Sequence, residues 1–303
     1  LNSNIVFAKN RDGLLNYCIK KGIEAKIHYP IPIYRQEALN SHKHQIGDFP
    51  VTDRHAREII TFPVDQHLRK DEIDYVTIAS TGNSADFGSL HGRSSTCWNA
   101  VRGLFGGDHS GTTNVIEYIT IATLGDGIDF GDLTAAAEET ASASSPTRGL
   151  FIGGRTNPGS GSKVSTIDFV NISTTGNAAV FGDQVTAASH HTGCSNAVRA
   201  ITGLGYHGSD YSNRVNVIEY ITIATLGDAT DFGDLTRSNS TAAACASSTR
   251  GVFVGGGQAS SPYGTTVMDY VEIMSTGNGT DFGDLIDNQS EANSALSNGH
   301  GGL

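Results

Sequence analysis

The residues whose types most directly suggest chemistry are four Asp-Phe-Gly triplets, at residues 86–88, 129–131, 231–233 and 281–283. In protein kinases one such triplet presents its aspartate to Mg²⁺ beside a catalytic loop, and no catalytic-loop motif accompanies the triplets here. A triplet that returns at regular spacing indicates a recurrent turn-and-strand device. We therefore expect no catalytic residue among the triplets.

Three further groups of polar residues could hold an ion. Gly159–Lys163 is glycine-rich but lacks the Gly-Lys-Ser/Thr spacing of a phosphate-binding loop. His42 and His44 flank a lysine, with no other metal ligand nearby in sequence. The third group could hold Ca²⁺ between turns or simply form hairpin turns, and consists of Asp126, Asp129 and Asp132. We predict surface loops and turns, with no metal site, and keep calcium as the alternative for the third group.

The composition limits the classes of partner. The chain has 31 acidic against 20 basic residues, a net charge of −11, which argues against nucleic acid as a partner. No apolar run approaches the roughly 20 residues that span a bilayer, so we expect no membrane partner. None of the four cysteines forms a Cys-x-x-Cys pair, which removes support for a zinc or redox site. Residue 1 is leucine, so the lack of a targeting segment leaves the compartment open.

The candidate residues lie on a repeat that runs from residue 73 to residue 303. Three markers recur in fixed phase, the first two at steps of 43, 51, 51 and 50 residues. The first marker is Tyr75, Tyr118, Phe169, Tyr220 and Tyr270; the second is Phe87, Phe130, Phe181, Phe232 and Phe282; the third is Arg102, Arg148, Arg199 and Arg250, with His300 last. This phase predicts five copies, starting near residues 73, 116, 167, 218 and 268, of which the last is incomplete.

Each copy reads as four short strands. In the fourth copy the strands are predicted at 217–223, 230–235, 242–247 and 250–254, with a turn at 225–228. The third strand is made of small residues, and one of its positions is occupied by Cys97, Ala143, Cys194 and Cys245 in successive copies. Innermost strands crowd around the axis of a β-propeller, so this strand is predicted to be innermost and the cysteine slot to be a small buried site.

The repeat resembles the kelch family of β-propellers. The resemblance rests on a glycine pair after an apolar strand, followed by an aromatic residue: Gly106-Gly107 with Tyr118, Gly153-Gly154 with Phe169, and Gly255-Gly256 with Tyr270. The sequence departs from that pattern in two ways. Gly203-Leu204-Gly205 stands in place of the pair in the third copy, and the second aromatic residue is a phenylalanine twelve residues after the first, whereas kelch repeats have a tryptophan soon after the tyrosine. We predict a mainly β fold, a partial kelch-like β-propeller with four-stranded blades. The resemblance implies architecture and not a ligand.

Residues 1–72 have a different composition and predict a small α/β segment before the propeller. Eleven of the 20 lysines and arginines lie in this stretch. Strands are predicted at 4–8 and 24–29, and helices at 12–21 and 53–60. Pro30 and Pro32 predict an extended loop after the strand at 24–29.

This stretch resembles the C-terminal part of the DegT-type aminotransferases, pyridoxal-phosphate enzymes of which many act on nucleotide-linked keto sugars. The matching motifs are Arg11-Asp12, Gly22-Ile23, His28-Tyr29-Pro30-Ile31-Pro32, Gln36, Ile60-Thr61-Phe62-Pro63 and Lys70-Asp71-Glu72-Ile73-Asp74. The resemblance implies that His28, Tyr29 and Gln36 shape the sugar pocket; the alternative is that His28-Tyr29-Pro30 only turns the chain. Tyr34 stands where many members have histidine.

The same resemblance implies that the Schiff-base lysine and the phosphate cradle belong to a domain that would precede residue 1. We therefore expect no catalytic residue and no cofactor in this chain, with pyridoxal phosphate implied for the parent of residues 1–72. The compartment would be cytoplasmic if the aminotransferase interpretation holds.

The pentapeptide Glu72–Val76 fits both resemblances, as the start of a last helix in the aminotransferases and as a strand of the repeat. Because Thr77–Thr81 continues the repeat, we expect a strand. A recombination or an assembly error at this shared sequence is our hypothesis for the junction, and both ends are expected to be truncated.

Two functions follow from these observations. The first is a non-catalytic propeller that binds a glycan or a protein and carries an aminotransferase remnant. The second is a fragment of a DegT-type sugar aminotransferase with the propeller as an appendage. A lysine-bearing cofactor domain upstream would favour the second.

Overall fold

The structure is a computed structural model, and it describes residues 3–7, 9–20, 27, 31–35, 47–63, 72–75, 83–90, 95–107, 113–156, 162–207, 213–259 and 261–290. The chain divides into two compact units, Leu1–Arg69 and Lys70–Leu303. No helix among these residues is long and apolar enough to cross a membrane.

The first unit contains two antiparallel strands, β1 (Ser3–Phe7) and β2 (Ile59–Pro63), and two helices, α1 (Arg11–Lys20) and α2 (Pro50–Glu58). A 3-10 turn covers Ile33–Arg35. Helix α1 begins after Asn10, whose Oδ1 accepts a hydrogen bond from the Gly13 amide at 3.2 Å, as an N-cap does.

The predicted strand at 4–8 and the helix at 12–21 are confirmed with a shift of one residue. The helix predicted at 53–60 begins three residues earlier, because Pro50 takes the first helical position, which proline tolerates. It ends at Glu58, where β2 begins to pair with β1. Most of the strand predicted at 24–29 lies outside the described residues.

Among the described residues, the second unit is a propeller-like arrangement of four four-stranded antiparallel sheets and two two-stranded sheets. We call the first two-stranded sheet the half-blade; it consists of β3 (Glu72–Tyr75) and β4 (Ala85–Ser89). Blade 1 consists of β5 (Ser95–Trp98), β6 (Arg102–Gly106), β7 (Val115–Thr120) and β8 (Ile128–Asp132). Blade 2 consists of β9 (Ala141–Ser144), β10 (Arg148–Ile152), β11 (Thr166–Asn171) and β12 (Ala179–Asp183).

The remaining blades have the same strand order. Blade 3 consists of β14 (Thr192–Ser195), β15 (Arg199–Gly203), β17 (Val215–Thr222) and β18 (Thr230–Asn239). Two short strands beside it, β13 (Ala188–Ser189) and β16 (Tyr206–His207), pair with each other. Blade 4 consists of β19 (Ala243–Ala246), β20 (Arg250–Val254), β21 (Thr265–Glu272) and β22 (Thr280–Gln289). The mainly β fold is confirmed, and so is the strand expected at Glu72.

A sequence copy and a blade are out of phase by half a unit. The copy that starts near residue 116 supplies the outer pair β7 and β8 to blade 1 and the inner pair β9 and β10 to blade 2. Each copy therefore crosses from one blade to the next, so the covalent chain itself joins neighbouring blades.

The strands of small residues are innermost, as predicted. Each is the first strand of its sheet, and β5, β9, β14 and β19 contact one another in that order. Cys97 and Cys194 are buried in this position, and burial raises the pKa of each thiol to about 12. A Cβ on Gly149 would lie 2.3 Å from the Cys97 sulfur, so a glycine of the following blade makes room for the thiol.

The hydrophobic core is a series of layers between blades. One layer joins Leu104 and Phe130 of blade 1 to Phe151 and Ile172 of blade 2, and equivalent layers join the other neighbouring blades. The half-blade packs on blade 1 in the same way through Phe87, Leu90 and Ile119. With a core of this kind, the stability of each blade depends on its contacts with its immediate neighbours.

Candidate functional site

The predicted repeat markers form one structural group in each blade. The two aromatic markers pack edge to face, with ring centroids 6.0 Å apart for Tyr118 and Phe130 and 6.2 Å for Tyr220 and Phe232. The marker arginine lies over the first ring: Arg148 is 5.0 Å from the centre of Phe169. Arg250 is 4.7 Å from the centre of Tyr270.

The marker arginine also joins successive blades. Arg148 donates to the carbonyl of Ile223 in blade 3 at 2.9 Å, and Arg199 donates to the carbonyl of Ile273 in blade 4 at 3.1 Å. Arg102 makes the same bond to Ile172. The third marker is therefore a bridge between blades.

The Asp-Phe-Gly triplets also form contacts between neighbouring blades, as expected for a recurrent turn-and-strand device. In blade 1 the register shifts opposite Phe130, so Ile116 faces Gly131 while Glu117 faces Asp129. This bulge frees the Phe130 carbonyl to accept the Gly176 amide of the next blade at 2.8 Å. A Cβ on Gly131 would lie 2.5 Å from the backbone of Gly176, so only glycine permits this approach.

The aspartates considered as an alternative calcium site, which are all described, do not form a cluster of metal ligands. Asp126 accepts the Ser89 amide at 3.0 Å across a blade junction. No group of three metal-ligating side chains suitable for an ion occurs within the described part of the chain. His42, His44 and most of Gly159–Lys163 lie outside that part.

A different group of residues lies at one end of the propeller axis, just before the innermost strands. We call it the mouth and define it as Glu138, Glu139, Ser189, His190, Ser240 and Thr241. Glu139, His190 and Thr241 occupy equivalent positions and have φ of 56°, 54° and 52°, in the left-handed region that non-glycine residues rarely adopt. The His190 amide donates to the Glu139 carbonyl at 3.2 Å, and the Thr241 amide donates to the His190 carbonyl at 2.9 Å.

Charged side chains concentrate on one side of the mouth. Arg155 forms ion pairs with Glu138 at 2.8 Å and with Glu139 at 2.7 Å. The other oxygen of Glu139 lies 2.7 Å from Nδ1 of His190, which belongs to the next copy. The exposed fractions are 1% for the Glu138 side chain and 22% for His190, so the pairs run from the interior to the surface.

Aromatic residues continue this side of the mouth. The ring of Tyr206 packs edge to face on His190, with centroids 5.2 Å apart. Arg214 lies 4.8 Å from the centre of Tyr206 and donates to its hydroxyl at 2.9 Å. Tyr206 thus lies between a cation and an imidazole, and its position is fixed by both.

Two further histidines lie next to the mouth. Burial lowers the pKa of His191 to about 3, with the neighbouring His207 contributing in the same direction. Burial also lowers the pKa of His207. His191 is therefore a neutral side chain at ordinary pH.

The mouth was missed from the sequence because its members do not repeat. The slot holds glutamate, histidine and threonine in successive copies, whereas the first marker is aromatic and the second is phenylalanine in every copy. That departure from the repeat is the signal that could have located it.

In the first unit, the residues expected at a sugar pocket, His28, Tyr29 and Gln36, lie outside the described residues. Tyr34 is described and buried, and its hydroxyl donates to Asp53 of α2. This bond raises the pKa of Tyr34 and lowers the pKa of Asp53, which also accepts the Gly47 amide at 3.0 Å. Tyr34 thus stabilises the turn before α2 through its bond to Asp53.

The described residues of this unit do not fit pyridoxal phosphate. A Schiff-base lysine lies in a pocket with an acidic partner and a phosphate cradle. The lysines described in this unit, Lys9 and Lys20, are both exposed, and Lys20 ends α1.

Comparison with known proteins supports the aminotransferase resemblance for the first part of the chain. The model of the DegT/DnrJ/EryC1/StrS aminotransferase family matches residues 3–80. The erythromycin biosynthesis sensory transduction protein EryC1 of Saccharopolyspora erythraea is 31% identical over 72 residues, which are 24% of this chain and 20% of that protein. A dTDP-3-amino-3,6-dideoxy-alpha-D-galactopyranose transaminase of Aneurinibacillus thermoaerophilus is 27% identical over 75 residues, 25% of this chain and 20% of the enzyme. The chain thus spans about a fifth of the length of these relatives.

The fold of the chain is similar to the solved structure of YjhT. The TM-score is 0.53 at 9% identity, and the match covers 65% of this chain and 66% of that one. At this identity the similarity concerns the fold alone.

Proposed function

We propose that the propeller is a non-catalytic binding module whose ligand binds at the mouth, and that residues 1–72 are a remnant of a pyridoxal-phosphate sugar aminotransferase. The observation that supports binding most directly is the series of polar contacts from Glu138 through Arg155 and Glu139 to His190. The series occurs at one side of the mouth only, because the equivalent residues Ser240 and Thr241 carry no charge.

The repeating junctions make this series unnecessary for the fold. At the next equivalent position the mouth has Ser240 and Thr241, and Gly257 replaces Arg155. That blade nevertheless keeps its four strands and its markers. Charged groups that are absent from an equivalent site are typical of a functional surface.

The chemistry of the mouth favours a glycan as the ligand, with a protein loop as the alternative. The His190 imidazole is the most exposed member of the series and can exchange hydrogen bonds with hydroxyl groups, while the buried carboxylates and guanidinium hold it in position. The Tyr206 ring adds an apolar surface beside them. Because these side chains are held by one another, they are preorganised for binding.

A glycan array probed with the labelled full chain tests this proposal. We expect one class of oligosaccharide to bind, and Arg155→Met to weaken that binding at least about tenfold. Arg237→Met, at an exposed position on β18, is the matched control and should bind like the wild type. Circular dichroism checks that both variants fold. Binding that survives Arg155→Met would exclude the mouth, and an array without binding would favour the protein alternative.

The family match at residues 3–80 supports a second candidate, a fragment of a DegT-type aminotransferase acting on nucleotide-linked keto sugars. Its test is titration of the chain with pyridoxal phosphate while visible absorbance is followed. We expect no saturable Schiff base, since the described lysines do not fit the cofactor. Saturable binding that a single lysine substitution abolishes would favour the enzyme.

A further inference from the structure

Blade 4 leaves exposed an aromatic side chain that the other blades bury. It lies on the sheet face that a following blade covers elsewhere, and we call this face the outer face of blade 4. Phe282 is 52% exposed, whereas Phe130, Phe181 and Phe232 are each 3% exposed. Ile286, four residues on in the same strand β22, is fully exposed. In the other blades this face is covered by the blade that follows.

Two more residues show that this face has the form of a junction. Arg250 still stacks on Tyr270, but its Nε donates to Glu272 of its own blade at 2.7 Å instead of to a following blade. Cys245 is partly exposed in the slot where Cys97 and Cys194 are buried. Among the described residues, the face thus has the markers of a junction without its usual cover.

The half-blade presents the complementary surface. In blades 2, 3 and 4 an acid on the third strand accepts the amide of a residue in the preceding blade, as Asp168 accepts Thr134 at 2.8 Å. Glu219 and Asp269 accept Val185 and Thr236 in the same way. The equivalent acid of the half-blade, Asp74, is exposed and accepts from Ser84 at 3.0 Å.

The position that would meet Asp74 is on the exposed face of blade 4. Ile286 of blade 4 is equivalent to Val185 and Thr236, whose amides donate to the acid of the following blade. Asn83 stands in the half-blade at the turn position where Asn177 and Asn278 accept an amide from the preceding blade. The half-blade therefore carries two acceptors that a blade uses to cover its predecessor.

Outer strands alone are sufficient for such a junction. The half-blade has only two described strands, and yet β4 is joined to blade 1 by three hydrogen bonds. Gly125 donates to Phe87 at 2.9 Å, Gly127 donates to Ser89 at 2.8 Å, and Ser89 donates to Asp126 at 3.0 Å. Phe87 is consequently 8% exposed.

We propose that the outer face of blade 4 binds the half-blade of a second copy of this chain, head to tail. Asp74 of one copy accepts the Ile286 amide of the other, and Phe282 is buried beneath the turn that contains Asn83. The contact repeats the internal junctions, so its two surfaces already match in shape and hydrogen bonding. Because the two surfaces differ, the association is heterologous and extends beyond a dimer. This proposal does not depend on ligand binding at the mouth.

Sedimentation velocity of the full chain, from about 1 μM to about 1 mM, tests the proposal over the range of weak interfaces. We expect the wild type to form dimers and longer species as the concentration rises. Phe282→Asp removes one surface and Asp74→Lys removes the other, so each variant alone should associate at least about tenfold more weakly. Leu226→Asp, at another exposed apolar position on a turn, is the matched control and should associate like the wild type.

Mixing the two variants gives the decisive measurement. Phe282→Asp keeps an intact half-blade and Asp74→Lys keeps an intact blade 4, so an equimolar mixture should form dimers that do not extend further. A wild type that stays monomeric overturns the proposal, and so does closure of the two faces within one chain. Association that both variants leave unchanged, or a mixture without heterodimers, overturns it as well.

Discussion

His191 lies beside the mouth, directly before β14, and is 7% exposed. A buried imidazole loses the hydration that stabilises its protonated form, and burial lowers the pKa of His191 to about 3. An unfolded chain binds a proton at this residue with an ordinary pKa near about 6.5. Folding and protonation of His191 therefore oppose each other.

This opposition predicts a pH dependence of stability. Between about pH 6.5 and about pH 3 the unfolded chain binds the proton and the folded chain does not, so the unfolding free energy falls on acidification by up to about 1.4 kcal/mol per pH unit. We expect His191→Gln to reduce this fall, measured by urea unfolding at about pH 7.5 and about pH 4.5. His55→Gln, on α2 of the other unit, is the control. Equal acid sensitivity of wild type and His191→Gln would contradict the prediction.

The left-handed backbone conformation of Leu204 could not be predicted from its residue type. Backbone bonding aligns it with Gly107, Gly153 and Gly255, and its φ of 64° is in the left-handed region. Such a conformation costs about 1–2 kcal/mol for a side-chain-bearing residue. Leu204 is 1% exposed in the layer between blades 3 and 4, so burial offsets the strain. The same alignment corrects the predicted pair Gly106-Gly107, in which only Gly107 is equivalent to the first glycine of the other pairs.

The contribution of the arginine bridge between blades can be measured by comparing two marker arginines of the same chain, one that forms the bridge and one that does not. Arg148→Ala removes the bond to the Ile223 carbonyl and the stacking on Phe169, and we expect it to cost about 1–3 kcal/mol of unfolding free energy. Arg250→Ala removes a half-exposed ion pair and no bond between blades, so its loss should be much smaller. Chemical denaturation of both variants checks this. Equal losses would show that the bridge itself contributes nothing.

The glycine that follows each marker phenylalanine offers a second matched pair. Gly131 and Gly283 have similar φ, 147° and 135°, so alanine meets similar backbone strain at both. At Gly131 the added Cβ would lie 2.5 Å from the Gly176 backbone, whereas at Gly283 the nearest atom, Met268 Cε, is 3.9 Å away. We expect Gly131→Ala to lose about 1–3 kcal/mol more than Gly283→Ala in urea unfolding. Similar losses would show that the blades can move apart at little cost.

The strands of the propeller could be predicted from sequence because period-two patterns and glycine turns are local. Strand β20 was predicted with the observed bounds, and β19 within one residue. Pairing between copies is not local, so the half-unit offset between copy and blade was not predicted. The mouth was not predicted either, since Glu139 and Arg155 meet only after two loops converge.

At the scale of the whole molecule, the propeller unit behaves as a row of blades that each contact their neighbours. Within the part of the chain that the structure describes, blade 3 has hydrophobic layers on both sides, while blade 4 has one, which it shares with blade 3. In such a row the stability of a blade depends on the number of its junctions. Local opening should therefore begin at the two ends of the row, blade 4 and the half-blade, and proceed inward.

Hydrogen exchange of the full chain tests this order. Strands β15 and β20 occupy the same position in blades 3 and 4 and have the same hydrogen-bonded neighbours within their sheets. We expect amides of Arg199–Gly203 to exchange at least about ten times more slowly than those of Arg250–Val254, since the first group opens only when two junctions are lost. The difference should narrow at high protein concentration, because a second copy would supply the missing junction to blade 4. Equal protection of the two strands in dilute solution would mean that the blades unfold as one cooperative body, and the row would then be the wrong description of this unit.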